Sequence, residues 1–245
     1  MNNTEIIKSF ETQKNLNPKI WEKEDNEYIM NPEVRERLLE ISNLFIDFLS
    51  VDVVITDIIM IGSLTNYNWS KYSDIDLHIV VNYSQFPENA QDLYREFFDL
   101  KKIIFNQRHN ITMFGYDVEC FVQDETETTF SSGIYSILYD MWVNEPKKES
   151  MNKVDTKLLK EKSKQWMRII DGVIDNIEDE DPDTIKEIVK KYKEKLKKFR
   201  NCGLEKGGEM SLENLVFKLL RRNGYIEKLY ELPTDMIDKK LTMKQ

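Results

Sequence analysis

Apolar positions change their rhythm near residue 146. Before it, short apolar runs are cut by turn residues; after it, apolar residues recur every three or four positions. Over residues 31–50, Val34, Leu38, Leu39, Ile41, Phe45, Ile46 and Leu49 keep helical spacing, with Asn31 as N-cap and Pro32 at the first helical position. IIMIG from Ile58 and IDLHIVV from Ile75 are almost wholly apolar and predict two strands. Residues 91–106 predict a helix with Leu93, Phe97, Leu100, Ile104 and Phe105 on one face, ended by His109-Asn110. ITMF and DVECFV predict strands joined by a tight hairpin at Gly115-Tyr116. GIYSIL and MWV are weaker strand candidates, and Pro146 closes the region.

Beyond it, Val154, Leu158, Leu159, Trp166, Ile169, Ile170, Val173, Ile174 and Ile177 define one helix, which the acidic run EDEDPD ends. Asp181-Pro182 opens a second, with Ile185, Ile188, Val189, Tyr192, Leu196 and Phe199 on one stripe. NCGLEKGGEM reads as a loop. Ser211 caps a third helix carrying Leu212, Leu215, Val216, Leu219 and Leu220, with a kink or stop at Asn223-Gly224. Residues 1–30 are polar apart from NLNPKIW and predict an arm that packs through that cluster. The pattern therefore predicts an α+β chain in three parts: the arm over 1–30, a short mixed β-sheet with flanking helices over 31–148, and an α-helical domain over 149–245.

Composition narrows the classes. With 245 residues, 40% hydrophobic, including 12 Phe, 11 Tyr and 4 Trp, the chain can bury a full core, which excludes global disorder. Two Cys cannot build a disulfide framework, so a reducing compartment is expected. No apolar stretch reaches the roughly 18–20 residues of a membrane span, and MNNTEIIKSFETQKN has no apolar signal core, so a cytoplasmic protein is expected. Charge is uneven: residues 1–150 carry 13 Lys/Arg against 26 Asp/Glu, and residues 151–245 carry 22 against 18. An acidic half is a poor surface for nucleic acid, which makes DNA binding unlikely, but it suits a metal ion if carboxylates converge.

They have reason to converge in GSLTNYNWSKYSDIDLHIV, residues 62–80. Gly62 lets backbone approach a phosphate closely, and Ser63 offers a hydroxyl and an N–H at the start of an expected short helix. Side chains alternate on a strand, so Asp74 and Asp76 point one way while Ile75, Leu77 and Ile79 point into the core. Two carboxylates so close repel unless a cation joins them, and hard oxygen ligands suit Mg²⁺. A third acid is expected from DVECFV. Glu119, flanked by apolar residues, is the first candidate and Asp117 its substitute.

These residues resemble the polymerase-beta-like nucleotidyltransferase superfamily: a strand, Gly-Ser, a spacer, Asp-x-Asp on the next strand, and a later acid. NLNPKIW, NYNWSKYSDIDLH, the GIYSIL region and LLRRNGYIEKLYEL extend the likeness to nucleotidyltransferase-like proteins of tailed bacteriophages. The resemblance implies transfer of NMP from an NTP to an acceptor hydroxyl with release of pyrophosphate. It implies two Mg²⁺ ions, or Mn²⁺, held by Asp74, Asp76 and Glu119, and β- and γ-phosphates held by Gly62 and Ser63. The acceptor stays open among protein, small molecule and RNA. A catalytically inactive member that binds nucleotide or a partner protein is the alternative, and a nucleic-acid 3′-end transferase the second. Many minimal members carry Ala-Arg-Gly two to four residues after the Ser; here Thr65, Asn66 and Tyr67 stand there.

Weaker signals have bland readings beside them. The Lys-rich segment 186–200 is either a polyanion-binding face or the solvated side of a helix, and the latter is expected. Arg221-Arg222 could reach a triphosphate or make surface ion pairs. His78 shares the parity of Asp74 and Asp76 and is expected to hydrogen-bond a neighbour. Tyr67, Trp69 and Tyr72 either stack on a base or pack the spacer onto the sheet. The two Cys and two His lack zinc spacing.

Overall fold

A computed structural model describes residues 3–25, 27–129, 131–148, 154–177 and 180–243. The chain forms two compact units: Thr12–Met151, and Asn152–Gln245 together with Met1–Glu11. Residues 1–30 are thus shared. Helix α1 (Asn3–Lys8) belongs with the helical unit, whereas β1 (Trp21–Glu24) and β2 (Glu27–Met30) form an antiparallel hairpin of the sheet unit. The cluster NLNPKIW packs as expected, with Leu16, Ile20 and Trp21 buried.

The sheet unit continues with α2 (Pro32–Leu49), β3 (Ile55–Ile61), β4 (Ile75–Val81), α3 (Gln91–Arg108), β5 (Thr112–Met113), β6 (Tyr116–Asp124), β7 (Ile134–Ser136) and β8 (Met141–Asn144). Its mixed sheet has the order β5-β6-β4-β3-β7-β8, and only β4 and β6 run parallel. Parallel neighbours need a long crossover, and α3 supplies it between β4 and β6. Strand alternation sends Ile75, Leu77, Ile79 and Val81 of β4, with Ile58 and Met60 of β3 and Val118 and Cys120 of β6, into one core. Helix α2 covers that core with Val34, Leu38, Ile41, Phe45 and Leu49, and the Asn31 side chain accepts from the Glu33 and Val34 amides at its start. The opposite sheet face carries Asp76, His78 and Glu119.

Two local expectations are corrected. Of the face expected to be buried on α3, Phe105 is buried and Phe97 packs against the core, but Leu93, Leu100 and Ile104 are exposed, and Phe98, outside that face, is buried. The side that takes the core is the one whose rings, Phe98 and Phe105, meet Tyr83, Phe86 and Phe45, because aromatic side chains bury the most area. The β5–β6 turn falls at Phe114-Gly115, one residue earlier than expected, with both residues at positive φ (55° and 85°).

The helical unit comprises α4 (Thr156–Asn176), α5 (Pro182–Gly207), α6 (Leu212–Arg222) and α7 (Tyr225–Leu241), with α1 against α6. Asp155, Asp181 and Ser211 cap α4, α5 and α6. Glu178 and Asp179 of the acidic run lie outside the described residues. Residues 201–207 are helical rather than loop. Gly203 is not a breaker there: it is buried, and a Cβ on it would lie 2.6 Å from Glu213 Cβ and 2.8 Å from Ser211 Oγ. Its smallness lets the start of α6 approach α5. A fourth helix, α7, follows the stop at Gly224 (φ 75°) and continues through Pro233. Among the described residues no helix is long and apolar enough to cross a membrane.

Candidate metal centre

The parallel register of β4 and β6 assembles the acids. Asp76 pairs with Glu119, and paired residues of neighbouring strands project from the same face. Asp74 stands just before β4. One carboxylate oxygen from each of Asp74, Asp76 and Glu119 lies within 4.8 Å of the others. Such a group could hold a metal ion, and none of the three is buried away from solvent. Asp117 lies two residues back on β6, opposite Thr112 of β5, outside this group. The edge of β6 beside Glu119 is held by α3: Asn106 Nδ2 donates to the Cys120 carbonyl at 3.1 Å, and the Cys120 amide donates to Asn106 Oδ1 at 3.0 Å. Behind the acids Cys120 faces the core, and burial with the nearby Glu119 charge pushes its thiol up to about 12.

On the other side of β4, Ile61 of β3 pairs with Asp76, and the chain turns at Gly62. Gly62 has φ 92°, and a Cβ on it would overlap the Asp76 carboxylate. Both facts demand glycine. Gly62→Ala should cost about 1–3 kcal/mol of stability through backbone strain. It should also displace Asp76 and weaken Mg²⁺ binding by about tenfold or more, the range of mutations that disturb a ligand's supports. Thermal melts and metal titration check the two effects separately; unchanged metal affinity would show that the turn does not set the Asp76 position.

Ser63 opens a three-residue 3-10 turn, Ser63–Thr65, rather than an α-helix. Its hydroxyl lies 2.7 Å from that of Ser73, which also accepts from the Ser70 amide at 3.0 Å. This link ties the Gly-Ser turn to the residue just before Asp74. The Gly62 amide donates to Ser131 Oγ at 3.1 Å, Thr65 Oγ1 donates to the carbonyls of Gly62 and Gly133 at 2.9 and 2.8 Å, and Trp21 Nε1 donates to the Leu64 carbonyl at 2.7 Å. Gly133 must be glycine too, since a Cβ there would overlap the Thr65 carbonyl. Asn66 Nδ2 contacts Ser132 Oγ, and its Oδ1 accepts from the Tyr67 amide at 2.8 Å. Thr65 and Asn66 therefore serve the turn. Sequence reasoning missed Ser73, Ser131 and Gly133 as positioning residues; the small polar run Ser131-Ser132-Gly133 was the signal.

Among the remaining candidates, His78 Nδ1 lies 2.7 Å from Gln123 Oε1 and its ring stacks on Phe121. Burial pushes its imidazole down to about 4, the Gln123 hydrogen bond opposing and Lys102 assisting, so it is neutral near pH 7. Tyr67 and Trp69 pack: both lie against the core, Tyr67 edge-on to Tyr28, and Trp69 Nε1 donates to the Asn15 carbonyl at 2.9 Å. Comparison with protein-family models, curated proteins and solved structures finds no match for this chain.

Proposed function

We propose that the chain is a nucleotidyltransferase of the polymerase-beta-like kind, transferring NMP from an NTP to an acceptor hydroxyl and releasing pyrophosphate. One observation carries the reading: Asp74, Asp76 and Glu119 converge within 4.8 Å beside a Gly-Ser turn whose glycine packs on the Asp76 carboxylate. The donor set is all carboxylate, without thiol or imidazole, and fits a hard cation such as Mg²⁺ or Mn²⁺. Asp74, Asp76 and Glu119 would hold it. Bound there, the metal would lower the pKa of the acceptor hydroxyl and offset charge on the triphosphate and departing pyrophosphate. The chain's own part is positioning. Strands β4 and β6 fix Asp76 against Glu119, the Ser63–Ser73 link fixes the approach to Asp74, and Gly62 leaves room where a side chain would close the site.

The catalytically inactive alternative draws on Thr65, Asn66 and Tyr67, since no basic residue stands at the place where many members contact the triphosphate. Calorimetric titration of each NTP with and without Mg²⁺, beside a pyrophosphate assay in cell lysate, separates the two. Transfer requires Mg²⁺-dependent binding followed by pyrophosphate release. Binding of every tight NTP without release in any lysate fraction would favour the inactive reading.

For a nucleic-acid 3′-end transferase the Lys-rich helix would have to grip the acceptor. Lys190 and Lys197 of α5 are exposed, but Lys193 is not part of a solvated face: its Nζ donates to the Tyr230 carbonyl at 3.3 Å and lies 4.4 Å from that ring's centre. Changing Lys190 and Lys197 to Gln should leave transfer and its salt dependence within about twofold, as for surface charges remote from a site. A salt slope flattened by about one per lysine would move RNA to the head of the acceptors.

A further inference from the structure

The helical unit carries a second charged cluster. On α6, Lys218 precedes Arg221 and Arg222 by three and four residues, so the three side chains share one side of the helix end. Arg200 of α5 reaches the same stretch. Its Nε donates to Asn214 Oδ1 at 3.1 Å, and its guanidinium lies 4.9 Å from the centre of the Phe217 ring. Asn214 is itself buried, with Nδ2 donating to the Glu209 carbonyl at 2.7 Å. Arg200 is therefore presented by a fixed partner.

Lys218 lies among these cations. Arg200, Arg221 and Arg222 all act on its ammonium, Glu209 is the acid acting on it, and burial dominates in lowering its pKa. Arg222 is directed elsewhere, donating to Ser9 Oγ at 2.6 Å and lying over Phe10. Among the described residues, the side chains of Lys218 and Arg221 make no hydrogen bond or ion pair. An ammonium drawn from water beside like charges is costly unless an anion meets it.

We propose that Lys218 and Arg221 at the end of α6, with Arg200 beside them, form a binding site for a phosphate group. The donors suit it: a guanidinium offers forked N–H groups to a phosphate's oxygens, and an ammonium adds a point charge. The site lies wholly in the helical unit and needs neither a metal nor the acidic triad. Its phosphate can belong to the phosphate chain of a nucleotide or to a phosphorylated acceptor.

The test is calorimetric titration of the full chain, in EDTA, with tripolyphosphate and with ribose 5-phosphate. Wild type should bind at least one of them. Lys218→Met, which keeps the stem, and Arg221→Gln, at an exposed position, should each weaken binding by about tenfold or more, the loss of a charged hydrogen bond. Asp74→Asn should bind as wild type does. Tighter binding of tripolyphosphate assigns the site to a nucleotide's phosphate chain; tighter binding of ribose 5-phosphate assigns it to a phosphorylated acceptor. The proposal is overturned if wild type binds neither, if Arg221→Gln binds as wild type, or if Asp74→Asn removes the binding. None of these outcomes bears on Mg²⁺-dependent transfer, which is measured separately.

Discussion

Asp74→Asn and Asp76→Asn should each lower Mg²⁺-dependent transfer by about a thousandfold, equivalent to a loss of about 4 kcal/mol of transition-state stabilisation. The amide keeps the shape of the carboxylate and removes its charge, so the metal loses a ligand while the backbone loses nothing. Folding should survive. The three acids crowd like charges within 4.8 Å, and removing one relieves repulsion in the metal-free protein. Thermal melts give the check. Without ligands each variant should melt at or above wild type; on addition of Mg²⁺ alone only wild type should gain. Full activity in both variants would remove the triad from the reaction.

Glu119→Gln should also cut transfer by about a thousandfold, while Asp117→Asn changes it by no more than about threefold. The contrast follows from strand register. Glu119 pairs with Asp76 and joins the triad; Asp117 pairs with Thr112 and does not. Glu119→Gln should retain much of the NTP affinity if its carboxylate serves the acceptor side. Steady-state kinetics of the two variants, with NTP binding measured in parallel, would reveal the order. A larger loss in Asp117→Asn would mean that β6 is displaced by two residues from the register seen here.

Much of this site could be read in the sequence because it obeys local rules. The alternation of IDLHIVV assigns Asp76 to the face opposite the core, and apolar flanks favour Glu119 over Asp117. What alternation cannot supply is the pairing itself. Strands β4 and β6 are parallel and joined through α3, so their register depends on packing across the crossover. The supports of the turn were hidden for the same reason: Ser63 meets Ser73, and Thr65 meets Gly133, across separations that no period reports. Helix α3 was readable as a helix, and Phe105 as part of its buried side, but Phe98 was missed because its neighbour Phe97 lies on the expected face. Gly203 and Pro233 resemble breakers by residue type, yet Gly203 serves close helix packing and Pro233 lies within α7.

The most direct measurement follows the two ends of the NTP separately. Wild type and Asp76→Asn are incubated with Mg²⁺, cell lysate and NTP labelled at the α-phosphate in one series and the γ-phosphate in another. Protein, RNA and small-molecule fractions are then counted. Nucleotidyl transfer predicts α-label in one fraction, γ-label released as pyrophosphate in equal amount, and neither with Asp76→Asn or EDTA. Label transferred from the γ-position, or equal transfer by wild type and Asp76→Asn, would contradict it.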